Sequence, residues 1–103
     1  MDINYELYKV FYHVATTLSF SEASRQLYIS QSAVSQSVNT LEKKLGTPLF
    51  IRSTKSVQLT PEGETLLRHI EPAIQLIRQG EINLMEAGSL GGGQLRIGAT
   101  DTI

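Results

Sequence analysis

The segment from Phe20 to Leu45, FSEASRQLYISQSAVSQSVNTLEKKL, constrains the fold more than any other part of the chain. Its second half carries apolar residues at the spacing of one face of an α-helix, namely Val34, Val38, Leu41 and Leu45. The opposite face carries amides, hydroxyls and one late cation, namely Gln31, Ser32, Ser35, Gln36, Asn39 and Lys43. Such side chains offer the donors and acceptors that match the edges of DNA bases. A merely uncharged surface is the alternative interpretation of this face.

A shorter helix is predicted directly before this one. Ser19 or Ser21 can cap it, and Glu22 completes a capping box if Ser19 is the cap. The helical pattern breaks at Tyr28, and Ser30 then caps the following helix. Two short helices joined by a turn of about three or four residues have the spacing of a helix-turn-helix.

Three helices and a hairpin make up the predicted first domain. An amphipathic helix over about residues 5–17 precedes the other two and serves as scaffold. Beyond them, the β-prone runs LFI and VQL stand on either side of the polar segment RSTKS, a pattern typical of a hairpin. Arg52, Thr54 and Lys55 in this tip suit contacts with phosphates or entry into a minor groove, with a solvated hairpin as the alternative. The expected fold class is therefore mainly α with a small β-hairpin, a winged helix-turn-helix.

A long helix is predicted after the hairpin. Thr60 supplies a capping hydroxyl, Pro61 occupies the first helical position, and Glu62 adds an acid to the first turn. Apolar residues then follow one narrow face, namely Leu67, Ile70, Ile74, Ile77 and Leu84. At about 1.5 Å per residue this helix extends roughly 40 Å, more than a three-helix core can cover, so we expect it to pair with a partner chain. Pro72 in its interior predicts a kink.

Glycines separate this helix from the end of the chain. Gly88 and the triplet GGG at 91–93 predict a hinge, and QLRIG after it alternates like the start of a strand. The expected organisation has three parts. They are a winged helix-turn-helix domain at 1–60 (helix-turn-helix at about 20–39, wing at about 49–60), a linker and dimerisation helix at 61–88, and at 89–103 a hinge with the start of a further domain that is missing from this chain.

Composition narrows the class of protein. At 103 residues the chain is one small domain's worth, and it has no cysteine for disulfides or thiolate metal sites. Its start lacks a secretion signal, and no apolar run approaches the roughly 20 residues that span a bilayer, so we expect a cytoplasmic protein without a membrane partner. The formal net charge is −1, yet between Phe20 and Thr60 five lysines and arginines stand against two glutamates. Positive charge therefore gathers around the helix-turn-helix, as nucleic-acid binding requires.

The chain carries little for catalysis. His13 and His69 lie on separate predicted helices, with no arrangement of carboxylate and cysteine around them. The glycine triplet lacks the preceding strand and following helix that a phosphate-binding loop needs. We therefore expect neither an enzyme nor a metal site. A winged-helix module that binds another protein is the remaining alternative, and such a module would tolerate charge reversal at Arg52 and Lys55.

Four segments resemble the LysR-type family of bacterial transcription regulators. They are LSFSEASRQL before the turn, ISQSAVSQSVNTLEKKLG through the third helix, TPLFIRS at the wing and VQLTPEGETLL at the start of the long helix. Their order and spacing match the family over essentially the full length of the chain. The closing GGGQLRIGA also resembles the linker and first strand of that family's effector-binding domain.

The resemblance implies sequence-specific binding of double-stranded promoter DNA, with the third helix in the major groove and the wing on the minor groove or backbone. It further implies a homodimer or tetramer in which the long helices pair, RNA polymerase as another partner, and no cofactor in this chain, since a small-molecule effector would bind the missing C-terminal domain. The site residues implied are the base readers Gln31, Ser32, Ser35 and Gln36, joined by Asn39 on the same face, with Arg52 as the wing cation and Ser21 and Ser30 near phosphates.

The chain departs from the family's pattern at two base-reading positions. Many relatives have proline where this chain has Ser32 and arginine where it has Gln36. Gln31 or Gln36 can pair bidentately with adenine, and Ala33 can contact a thymine methyl group. The sequence therefore favours an A·T-rich half-site.

Overall fold

The computed structural model describes residues 2–90 and is mainly α-helical with one small hairpin. Its elements in chain order are α1 (Tyr5–Thr17), α2 (Phe20–Leu27), α3 (Gln31–Leu45), β1 (Phe50–Arg52), β2 (Val57–Leu59) and α4 (Pro61–Leu90). The predicted fold class is confirmed. Helix α4 continues past the expected end at residue 88 to Leu90, and the strand predicted after the glycine triplet lies outside the described residues.

Serine side chains begin both helices of the helix-turn-helix. The Ser19 hydroxyl accepts the backbone N–H of Glu22 at 3.0 Å, and the Ser30 hydroxyl accepts that of Ala33 at 3.1 Å. Ser19 rather than Ser21 therefore caps α2, which decides between the two serines that the sequence left open. Each such cap stabilises its helix by about 1 kcal/mol, and its short reach sets the residue at which the helix begins.

The ends of α2 and α3 turn through left-handed backbone. Tyr28 has φ 59° and Gly46 has φ 75°. The N–H of Ile29 donates to the Ser24 carbonyl at 3.2 Å, and the N–H of Gly46 donates to the Glu42 carbonyl at 2.8 Å. These bonds satisfy carbonyls that the last turn of each helix leaves without intrahelical partners. Each helix therefore ends directly before its left-handed residue.

The hydrophobic core lies where the first three helices meet the hairpin. Its fully buried side chains include the apolar face predicted for α3, Val34, Val38 and Leu41, while Leu45 is half-buried. The ring centroids of Phe11 in α1 and Phe50 in β1 lie 5.5 Å apart. Burial of these side chains orients α3 with its apolar face inward, which leaves its polar face outward.

Thr60 connects the hairpin to the start of α4. Strands β1 and β2 pair antiparallel with Phe50 opposite Leu59. Thr60 then caps α4, since its hydroxyl donates to the Pro48 carbonyl at 2.8 Å and accepts the N–H of Gly63 at 3.0 Å. This arrangement brings the first turn of α4 against the backbone that leads into β1.

The chain divides into two compact units between Glu71 and Pro72. In the first, Leu66, Leu67 and Ile70 of α4 pack against the core, so two of the residues predicted for dimerisation already lie against their own chain. In the second, Ile74 is buried, whereas large apolar side chains are exposed at Leu76, Ile77, Ile82, Leu84 and Met85. None of the described helices combines the length and hydropathy that a membrane span requires.

Candidate nucleic-acid interface

The predicted polar face of α3 is accessible. Gln31, Ser32, Gln36 and Asn39 are exposed and Ser35 is half-buried. Among residues 2–90, the side chains of Gln31, Ser35 and Gln36 have no hydrogen-bond partner. These donors and acceptors are therefore available to another molecule without breaking an internal bond.

The hydroxyls at the start of α3 are partly used within the chain. Ser30 holds the cap of α3, and its hydroxyl lies 3.2 Å from that of Ser32. The Ser21 hydroxyl of α2 accepts from the Arg25 guanidinium at 3.5 Å, and Arg25 also pairs with Glu22 at 2.6 Å. Ser21 and Ser30 thus both make hydrogen bonds within or next to their own helices.

The wing, defined here as β1, β2 and the tip between them, carries one cation that has no partner among residues 2–90. The Ser53 hydroxyl accepts the N–H groups of Lys55 at 3.3 Å and of Ser56 at 3.1 Å, which makes a tight turn. Thr54 and Lys55 are exposed at this turn, and within the described residues neither side chain has a hydrogen-bond or ion-pair partner. The Lys55 ammonium is therefore available to a phosphate.

The structure brings Asn39 and Arg52 together, although the sequence assigned one to base contacts and the other to the wing. Arg52 Nη1 donates to Asn39 Oδ1 at 3.0 Å, and Nη2 lies 3.3 Å from Glu42 Oε1. The guanidinium also lies 5.0 Å from the centroid of the Phe20 ring. Arg52 thus contacts both helices of the helix-turn-helix.

Glu42 is the site residue that sequence reasoning missed. Glu42 is the one acidic residue of α3. It follows Asn39 by three residues, so the two side chains lie on the same helix face, and this spacing could have indicated that one cation contacts both.

The two histidines make separate hydrogen bonds within the chain. His13 Nδ1 is 2.7 Å from Gln26 Oε1, which links α1 to α2, and His69 Nδ1 is 2.9 Å from the Thr65 carbonyl. Within residues 2–90, no group of three or more metal-binding side chains is placed to hold an ion. Each histidine therefore makes a hydrogen bond within the chain.

Residues 5–64 match the family described as bacterial regulatory helix-turn-helix protein, lysR family. The chain belongs to this LysR family. The match runs from the start of α1 into the first turn of α4, so the polar face of α3 and the wing both lie inside it. The resemblance seen in the sequence is thereby confirmed.

Similar known proteins agree with this assignment. The HTH-type transcriptional regulator YofA of Bacillus velezensis is 38% identical over 94 residues, which cover 91% of this chain and 32% of YofA. The solved BenM_DBD/catB site 1 DNA complex matches with a TM-score of 0.69 and 25% identity, over 90% of this chain and 100% of that one. The CbnR_DBD–DNA complex matches with a TM-score of 0.69 and 27% identity, over 82% of this chain and 99% of that one.

The LysR chain described here spans about a third of the length of the curated relatives it matches, between 27% and 33% for those compared. The similarity therefore concerns the helix-turn-helix and the helix that follows it.

Proposed function

We propose that this chain binds double-stranded promoter DNA in a sequence-specific manner as part of a transcriptional regulator. Helix α3 would enter the major groove and the wing would contact the minor groove or backbone. The observation that carries the proposal is the exposed polar face of α3, whose Gln31, Ser35 and Gln36 side chains have no partner within the described residues. The similar BenM_DBD and CbnR_DBD chains, solved as DNA complexes, support it.

The chemistry of this face favours A·T base pairs. A glutamine amide can donate to adenine N7 and accept from its N6 amino group, while Ala33 can contact a thymine methyl. The Lys55 ammonium, which has no partner in the described part of the chain, supplies a phosphate contact that is independent of sequence. Base discrimination is therefore assigned to α3 and general affinity to Lys55 of the wing.

Fluorescence anisotropy across a salt series tests this function. The chain is titrated onto duplexes from the region upstream of its own gene and onto shuffled duplexes of the same composition. A preference for the upstream duplex that persists as salt rises supports sequence-specific binding. Equal and steeply salt-dependent binding would reduce the proposal to phosphate contacts, and no binding at low salt would favour a protein-interaction module instead.

Replacing Gln36 with alanine is expected to relax discrimination at one base pair by about 1–3 kcal/mol. The amide is exposed and has no partner among residues 2–90, so the fold does not depend on it. Competition against a panel of single-base variants of the preferred duplex measures the change. Gln79→Ala, an exposed glutamine on α4, serves as the control and should leave the panel unchanged. A uniform loss over the whole panel for Gln36→Ala would remove it from the base readers.

The second part of the proposal is a homodimer formed through α4. Leu67 and Ile70 pack on the core and Ile74 is buried, so the exposed members of the predicted set are Ile77 and Leu84. Seven residues apart, these two lie on one helix face. Leu84 is 76% and Ile77 is 43% exposed, and apolar side chains grouped on one helix face mark a surface that a partner chain can cover.

Replacing Leu84 with glutamate is therefore expected to yield a monomer at concentrations where the unmodified chain is a dimer. The added carboxylate would lie unpaired in an apolar helix contact. Sedimentation equilibrium gives the mass, and circular dichroism confirms that the helices persist. Gln79→Glu adds the same charge about 140° around the helix and should leave the mass unchanged. Equal masses for Leu84→Glu and the unmodified chain would exclude this face as the contact.

A further inference from the structure

One carboxylate ties the third helix to the wing. Glu42 Oε2 accepts the backbone N–H of Leu49 at 2.7 Å and that of Phe50 at 3.2 Å, where the chain enters β1. Its other oxygen, Oε1, accepts from Arg52 at 3.3 Å. The Glu42 side chain is only 17% exposed, so these bonds form in a partly desolvated site where charge-assisted hydrogen bonds are strong.

Arg52 completes this connection from the wing side. Its guanidinium donates to Asn39 and Glu42, which lie one turn apart on α3, and it stands over the Phe20 ring of α2. A planar guanidinium can serve several partners at fixed angles, which an ammonium cannot. The positive charge of Arg52 is thereby balanced within the chain by Glu42.

The contact also orients the Asn39 amide. Arginine has donors and no acceptor, so the Asn39 atom that faces Arg52 must be the carbonyl oxygen Oδ1. The amino group Nδ2 is then the end that remains without a partner among residues 2–90. An amide held in this way presents the Nδ2 donors to DNA, while Arg52 already occupies one of the two lone pairs of Oδ1 that a bidentate pair with adenine would use.

We propose that Arg52 is a positioning residue, held by Glu42, which sets the wing against α3 and holds Asn39 as a donor, and that it is not a phosphate contact. This inference rests on the proposed function and deepens it. Phosphate binding at the wing then belongs to Lys55, whose side chain has no partner within the described residues. Arg52 and Lys55 therefore act on different quantities, base preference for the first and salt dependence for the second.

The salt dependence of binding separates the two roles. A lost phosphate contact lowers the slope of log K against log salt by about 0.9. We expect that loss for Lys55→Gln on both the upstream and the shuffled duplex. For Arg52→Gln we expect an unchanged slope, binding to the shuffled duplex within about twofold, and at least a tenfold loss on the upstream duplex, as for a charge-assisted hydrogen bond. A slope that falls for Arg52→Gln as it does for Lys55→Gln would overturn the proposal.

Two conservative variants make the test sharper. Arg52→Lys keeps the charge but loses the planar geometry, so it should lose preference for the upstream duplex as Arg52→Gln does, whereas a phosphate contact would survive. Glu42→Gln removes a negative charge. If only the Coulomb repulsion between this carboxylate and the DNA phosphates mattered, the variant would bind DNA more tightly. The positioning role gives the opposite sign, weaker binding to the upstream duplex. Tighter binding of Glu42→Gln to both duplexes would contradict it.

A measurement without DNA keeps this proposal distinct from the proposed function. In nitrogen-15 NMR spectra of the full chain, Arg52→Gln should shift the Asn39 side-chain NH₂ resonances and speed amide exchange at Leu49 and Phe50, while Lys55→Gln leaves them unchanged. Suppose that these NMR changes occur but the unmodified chain shows no duplex preference. The proposed function and the base-preference role of Arg52 would then be refuted, while the contacts of Arg52 with α3 would be supported. Unchanged Asn39 resonances in Arg52→Gln would refute the positioning role itself. All variants are compared well below their melting temperatures, so that loss of folding does not enter.

Discussion

Replacing Phe11 with alanine is expected to lower the free energy of unfolding by about 3–5 kcal/mol. The Phe11 side chain is fully buried, and its ring packs against Phe50 with centroids 5.5 Å apart. The substitution therefore removes apolar contact area and opens a cavity between α1 and β1, which the surrounding helices can close only in part. Because a domain of this size is stable by only about 5–15 kcal/mol, much of its stability would be lost.

Urea unfolding followed by circular dichroism measures this effect. Tyr28→Ala is the matched control, because it also removes an aromatic ring but from a position that is 94% exposed. Its free energy of unfolding should stay within about 0.5 kcal/mol of that of the unmodified chain. A loss below about 1 kcal/mol for Phe11→Ala would mean that the contact between α1 and β1 contributes little to this fold.

Replacing Gly63 with alanine is expected to lower the free energy of unfolding by about 1–3 kcal/mol or more. A Cβ atom at this position would lie 2.2 Å from the Leu49 carbonyl oxygen and 2.9 Å from Leu59 Cδ2. The same carbonyl accepts the N–H of Thr60 at 3.0 Å, so it cannot move away without breaking that bond. The first turn of α4 would have to separate from the start of the hairpin.

Gly80→Ala is the matched control for this substitution. Gly80 also lies inside α4, but a Cβ there meets nothing within 4 Å. Alanine is favoured over glycine in a helix interior by about 0.5–1 kcal/mol, so this variant should be equally or more stable. Both variants are compared by urea unfolding in the Leu84→Glu background, which keeps a partner helix out of the comparison. Equal stabilities for the two variants would show that the close approach at Gly63 is not needed.

Most of the fold was predictable because its signals are local. The spacing of Val34, Val38 and Leu41 predicted the inner face of α3, and all three side chains are fully buried. Ser30 was predicted to cap α3 and does so. A helical period and a cap depend only on residues within one or two turns, so neighbours in the sequence carry enough information to place them.

The candidate site was predictable only in part. The exposed polar face of α3, on which Gln31 and Gln36 have no side-chain partner within residues 2–90, follows from the same period as the core. The pairing of Asn39 with Arg52 does not, because it depends on how the hairpin approaches α3. The predicted dimerisation set also mixed two environments, since Leu67 packs on the core while Leu84 is exposed. A helical repeat predicts on which face of the helix a residue lies. It does not predict whether the chain's own core or a partner covers that face.

The sequence by itself determined the helices, the caps of α3 and α4, the hairpin, the polar face of α3 and the family, because each rests on short-range spacing or on motifs in a fixed order. The tertiary structure alone decided that Glu42 and Arg52 join α3 to the wing and that Gly63 must be a glycine. Both depend on distances between segments that lie well apart in the chain. Such distances arise only when the whole core has packed, since packing sets how closely two backbones approach.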